Sequence, residues 1–174
     1  MTFEELGLKS GVLKSLTEMG FETPTPIQTE AIPHLLKEES DFVGLAQTGT
    51  GKTAAFGLPL VSKVEEGSRI PQGLVICPTR ELCLQITKDL QNYSKHLKVS
   101  IVAVYGGTDI RRQIQDVKSG ATIIVATPGR LVDLLDRRAI KLDDIKILVL
   151  DEADEMLNMG FQEDLDAIIS ACSS

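Results

Sequence analysis

Two stretches of the 174-residue sequence combine residue types that can do chemistry. Ala46 to Thr53 reads AQTGTGKT. Glycines let a backbone wrap an anion with its N–H groups pointing inward, and a helix starting directly afterwards adds its positive N-terminus. In such a phosphate-binding loop, formed by Ala46, Gln47, Thr48, Gly49, Thr50, Gly51, Lys52 and Thr53, Lys52 reaches the β- and γ-phosphates and the Thr53 hydroxyl holds Mg²⁺. Ala46 stands where the pattern has glycine, and a small residue serves there. The second stretch, ILVLDEADEML from Ile147 to Leu157, runs from an apolar segment straight into Asp151, Glu152, Asp154 and Glu155. A strand buried on both faces that opens onto acids needs a cation there, or else the acids are a solvated helix start.

Chemistry of this kind needs a scaffold, and the pattern along the chain supplies one. Strand-like segments at Asp41–Ala46, Leu74–Cys77, Ser100–Val104, Ile123–Ala126 and Ile147–Leu150 alternate with helical periodicity. That alternation predicts an α/β fold with a mainly parallel sheet and helices on both faces. Ligands bind such a sheet at the carboxyl ends of its strands, where both stretches lie. Leu8–Met19 and Ile27–Leu36 read as helices separated by Pro24-Thr25-Pro26, with Thr25 capping the second. Phe56, Leu60 and Val64 mark a helix that Pro59 bends. Leu82, Ile86, Leu90, Tyr93 and Leu97 mark one face of a longer one.

Composition narrows the classes. The apolar runs are strand-sized, too short to span a membrane, and the acidic N-terminus lacks a signal-peptide core. Three cysteines, Cys77, Cys83 and Cys172, fit neither a disulfide framework nor a metal site, so free thiols in a reducing, cytoplasmic setting are expected. His34 and His96 read as structural or surface residues. A net charge of −7 argues against a broadly basic nucleic-acid binder, leaving room only for a narrow binding strip.

In a P-loop ATPase the acid closing the buried strand holds magnesium and its neighbour orients or deprotonates the attacking water. Asp151 and Glu152 fit those roles, with Lys52. Asp151-Glu152-Ala153-Asp154 and AQTGTGKT together resemble the N-terminal RecA-like domain of the DEAD-box ATP-dependent RNA helicases. The likeness extends through GFETPTPIQ (Gly20–Gln28), which resembles the family's Q motif with Phe3 as its upstream aromatic. It continues through PTREL (Pro78–Leu82), Gly106-Gly107 and TPGR (Thr127–Arg130). The short lead before the Q motif resembles that of bacterial members.

The Gln28 amide can give one hydrogen bond and accept one, as an adenine edge requires. The resemblance assigns it that role and assigns Phe21 to stacking on the base, though core packing would also explain Phe21. VICPTREL and IVATPGRL both set a threonine before a helix. Thr79 and Thr127 suit the N-cap, Pro128 the first helical position, and Arg80 and Arg130 flank free N–H groups. With Pro78, Gly106, Gly107 and Gly129 they form a strip for RNA sugar and phosphate, without sequence readout. Asp154 takes a coupling role between domains by resemblance, while Glu155 reads as a helix-start acid. Arg111-Arg112 and Arg137-Arg138 read as solvated helix surface.

The resemblance implies ATP and Mg²⁺ as cofactors, RNA as partner, and a second RecA-like domain outside this chain. Residues 1–30 would form a Q-motif region packed on the core and 31–174 the ATP-binding domain, truncated before the family's Ser-Ala-Thr motif. The isolated chain is then expected to be nearly inactive. Two other readings stand beside it: a non-catalytic ATP- or RNA-binding module, and another P-loop ATPase such as a DNA helicase.

Overall fold

The computed structural model describes residues 1–37, 41–45 and 51–172. Five strands, β1 (Asp41–Leu45), β2 (Gly73–Ile76), β3 (Ile101–Val104), β4 (Ile123–Ala126) and β5 (Ile147–Asp151), form one sheet in the order β1-β5-β2-β4-β3. Every pairing is parallel. Parallel neighbours need crossover connections, and four helices between the strands supply them: α3 (Lys52–Lys63), α4 (Arg80–Tyr93), α5 (Ile110–Lys118) and α6 (Pro128–Asp136). Helices α1 (Ser10–Glu18) and α2 (Pro26–Lys37) precede β1, and α7 (Ala153–Asn158) and α8 (Gln162–Cys172) follow β5. All the strands anticipated from the sequence are present, within one residue at each end.

Side chains alternate across the sheet with period 2 and build a core on each face. Val75, Ile123, Val125, Ile147 and Val149 join the cluster under α1 to α4. Leu74, Ile76, Ile124, Ala126, Leu148 and Leu150 join the cluster under α6 and α8. Phe3, Leu6, Leu8, Val12 and Leu16 enter the first cluster, so the segment before α2 packs on the core. Helix α2 itself continues unbroken past residue 30.

Two helices differ from their sequence patterns. In α3 the pattern marks one apolar face, yet every residue from Ala54 to Ser62 is buried. The reason is position: α3 lies between α2 and α4 and has no solvent face along its middle. It packs tightly on α4 at Gly57, where an added Cβ would sit 2.8 Å from Leu90 Cδ2 and 3.1 Å from Tyr93 Cε2. The helix continues past Pro59 to Lys63. Helix α4 ends at Tyr93, so Leu97 lies beyond it, although it still packs against the same core.

Cys77, Cys83 and Cys172 are free, the first two buried. The neighbouring Cys83 and burial hold the Cys77 thiol well above its ordinary range, and both side chains are packed in the core beneath α1 to α4. His96 bonds Glu18 at 2.6 Å and ties α1 to the segment after α4. Arg111 and Arg137 pair with Asp109 and Asp133 at the surface, in keeping with their reading as solvated helix residues. Among the described residues no helix is long and apolar enough to cross a membrane.

Gly57→Val should overpack the α3–α4 contact and destabilise the domain by about 1–3 kcal/mol. Urea unfolding followed by circular dichroism measures it; a midpoint equal to the parent's would mean the two helices do not meet there.

Candidate active site

The carboxyl ends of the strands gather the chemistry. Asp151 is the last residue of β5, and its register partner in β1 is Leu45. The loop residues that follow β1, Ala46, Gln47, Thr48, Gly49 and Thr50, lie outside the described residues. The chain resumes at Gly51, whose left-handed backbone (φ 83°) turns it into α3 as the N-cap. Lys52 and Thr53 thus occupy the first turn of α3, where N–H groups are free and a negative ligand is favoured.

Asp151 is 2% exposed, and one of its carboxylate oxygens, Oδ1, has no hydrogen-bond partner. Burial pushes its carboxyl up to about 6; the Lys52 charge pulls the other way and the neighbouring Glu152 adds to the rise. Glu152 likewise has a buried oxygen, Oε1, without a partner. Its backbone is left-handed (φ 60°, ψ 46°) at the start of α7, a conformation that costs a non-glycine residue about 1 kcal/mol or more. Buried carboxylate oxygens without partners are rare and call for a ligand. A magnesium ion fits them: it keeps water and ligand phosphates in its shell and takes only one or two protein groups. Asp154 and Glu155 are both exposed in the first turn of α7.

The Q-motif residues lie directly against this loop. Thr25 and Gln28 form a reciprocal cap on α2: Thr25 N–H donates to Gln28 Oε1 at 3.0 Å and Gln28 N–H donates to Thr25 Oγ1 at 3.3 Å. Gln28 Nε2 donates to the Gly51 carbonyl at 3.1 Å, bridging the motif to the phosphate-loop end. A Cβ on Gly51 would lie 2.9 Å from that nitrogen, so only glycine fits. Phe21 packs in an aromatic row, 6.1 Å from Phe3 and 6.4 Å edge-on to Tyr93.

Further along the same edge of the sheet, Thr79 caps α4 through its hydroxyl, which accepts from Leu82 N–H at 3.2 Å. Thr127 stands at the N-cap of α6 with Pro128 next, but its hydroxyl makes no capping bond. The exposed Arg80 lies over the Tyr105 ring, 5.1 Å from its centre. Gly107 is left-handed (φ 87°) and faces the Arg80 guanidinium. Gly106 and Gly129 have no atoms near where a Cβ would be. Pro78, at the end of the turn out of β2, is buried. Arg130 is not a free surface cation: Nη1 donates to Gln113 Oε1 at 2.9 Å and Nη2 to the Thr108 carbonyl at 3.0 Å. Tyr105, Thr108 and Gln113 were not picked out by sequence reasoning. The available signal was a glutamine on the apolar face of α5, between Ile110 and Val117.

Fold and site together define a RecA-like P-loop domain. The family model for DEAD/DEAH box helicases matches residues 25–174, and the chain belongs to that family. It is 54% identical over 169 residues to the DEAD-box ATP-dependent RNA helicase CshA of Bacillus cereus, covering 97% of this chain and 32% of that protein. It is 52% identical over 167 residues to the ATP-dependent RNA helicase CshA of Listeria monocytogenes, covering 96% and 32%. The crystal structure of a DEAD box protein from Methanococcus jannaschii superimposes with a TM-score of 0.92 at 42% identity, covering 99% of this chain and 47% of that one. The chain thus spans about a third of the length of these curated relatives.

Because the Asp151 carboxyl is raised, the folded state keeps a proton that the unfolded chain has lost between about pH 4 and 6. The stability from neutral Asp151 is present below that window and lost as pH rises through about 6. Without magnesium, Asp151→Asn should be about 2–3 kcal/mol more stable than the parent at pH 7.5, with the gap closing near pH 4. Denaturant titrations at both pH values decide it; a constant difference would mean Asp151 is not held against its charge.

Proposed function

We propose that this chain is the ATP-binding domain of an ATP-dependent RNA helicase that works in the cytoplasm on single-stranded RNA and short duplexes. The observation that carries the proposal is the pair of buried, unpartnered oxygens of Asp151 and Glu152 beside Lys52 at the strand ends. In this reading residues 46–53 cradle the triphosphate of ATP, and Lys52 faces its β- and γ-phosphates. Asp151 and Thr53 would hold Mg²⁺, which would supply positive charge against the phosphates. Glu152 takes a proton from the attacking water. Gln28 retains one amide hydrogen and one lone pair after its bonds to Thr25 and Gly51, enough for the donor and acceptor of an adenine edge. Phe21, packed between Phe3 and Tyr93, would cover the base with its remaining exposed face.

Pro78, Thr79, Arg80, Gly106, Gly107, Thr127, Pro128, Gly129 and Arg130 form the RNA strip, gripping sugar and phosphate. A second RecA-like domain completes both sites: it supplies the arginine that stabilises charge on the transferred phosphoryl group, and Asp154 couples it to this one. The Q-motif region, residues 1–30, serves the ATP-binding domain that follows. The relatives' names and threefold greater length support this division.

Titrating labelled ATP against parent and Lys52→Ala proteins should show binding lost in the variant, and equal affinities would remove the P-loop assignment. Joined to a second domain, Glu152→Gln should keep ATP and RNA binding while turnover falls about a hundredfold or more; normal hydrolysis would refute the base assignment.

Phosphate release by residues 1–174 alone, with excess RNA, should barely exceed the Lys52→Ala control. An arginine supplied from elsewhere is worth about 10³- to 10⁵-fold in such sites. Robust RNA-dependent turnover by this chain would mean the active site is complete within it.

A further inference from the structure

We infer that Gln113 is a positioning residue for RNA binding, one that presets the Arg130 guanidinium before RNA arrives. The inference rests on the proposed role of Arg130 in holding RNA phosphates.

Gln113 lies on α5, 6% exposed, at helical spacing from Ile110 and Val117 on the face turned to the sheet. A glutamine in that position must find partners, and it finds Arg130 of the strip and the two residues that flank Gly106-Gly107, Tyr105 and Thr108. Its Oε1 accepts from Arg130 Nη1 at 2.9 Å and from the Tyr105 backbone N–H at 3.2 Å. Its Nε2 donates to Thr108 Oγ1 at 3.0 Å. Two donors converge on one amide atom, which fixes that atom as oxygen and settles the orientation of the group. Both ends of the Gly106-Gly107 turn are thereby tied to one side chain. Arg130 closes the circuit through its bond to the Thr108 carbonyl.

The consequence is geometric. Tyr105 N–H points off the open edge of β3, and the Gln113 oxygen takes the place a neighbouring strand's carbonyl would have. The ring of that same tyrosine lies under Arg80. Arg130 is held by two bonds to uncharged acceptors. Neutral acceptors fix its direction without a carboxylate bond that would cancel the charge phosphate needs; the exposed Asp109 carboxylate, bonded to Arg111, acts on Arg130 only at a distance. Arg111, two residues before Gln113, is the contrast: its Nε and Nη2 bond the two carboxylate oxygens of Asp109. A guanidinium ordered in advance loses less rotamer freedom when a phosphate binds.

The test is a double-mutant cycle on residues 1–174, read by fluorescence anisotropy of a labelled oligouridylate at low salt. Arg130→Ala should weaken binding about tenfold and lower the salt slope by about one. Gln113→Met keeps the side-chain volume and removes the bonds; it should weaken binding about three- to tenfold with ATP affinity unchanged. The double variant should bind no more than about twofold worse than Arg130→Ala, because both act through one group. Penalties that multiply, or parental affinity in Gln113→Met, overturn the inference. Parental affinity in Arg130→Ala overturns the reading of Arg130 and the inference with it. A second measurement needs no variant: the Arg130 guanidinium protons of the parent should give separate, slowly exchanging NMR signals. A single averaged signal from a freely rotating group also overturns it.

Discussion

The carboxylate of Asp151, 2% exposed and under the influence of the Lys52 charge, is the constraint around which this domain is arranged. An acid at the end of a fully buried strand raises its own ionisation cost. It is tolerable only where a positive helix start and a lysine are delivered to the same edge of the sheet. The parallel topology makes that delivery. With β1 and β5 adjacent and parallel, Leu45 at the end of β1 lies beside Asp151 at the end of β5. An antiparallel neighbour would have sent one of them to the opposite edge.

The same edge holds a second group of residues with different electrostatics. At the β1–β5 end, Asp151 is buried, Lys52 and Glu152 are half-buried, and two carboxylate oxygens lack partners among the described residues. At the β4–β3 end, the arginines are partnered but not neutralised, by an aromatic ring in one case and by an amide and a carbonyl in the other. The first arrangement suits a dense anion together with a cation; the second suits a long polyanion bound loosely along its backbone. A net charge of −7 is compatible with that second surface, because its positive groups are few and local.

The link between the Q motif and the nucleotide loop is a packing relation as much as a polar one. Gln28 caps its own helix and bonds Gly51. Phe21 packs between Phe3 and Tyr93, so the segment before α2 is anchored in the core of α3 and α4. A shift of that segment would be felt at Gly51 through a contact that leaves no room for a Cβ.

Much of this was legible in the residues themselves. The strands announced themselves as short apolar runs, because a sheet buried on both faces needs β-branched and aliphatic residues at every position. The phosphate loop and the acids at 151–155 are local patterns whose chemistry is set by residue type and spacing, and Thr25 and Thr79 cap their helices as their types require. Other features depended on the fold. That α3 is buried all round follows from its place between α2 and α4, which no periodicity in its own sequence records. That Thr127 makes no capping bond depends on local backbone and neighbours. Gln113 is the clearest case: its partners Tyr105, Thr108 and Arg130 come from two other segments, and only the folding of α5 against the ends of β3 and β4 brings them within hydrogen-bond reach. Types and spacings of residues determine which groups are able to do chemistry; the packing of distant segments decides which of those groups are held still and which keep their charge.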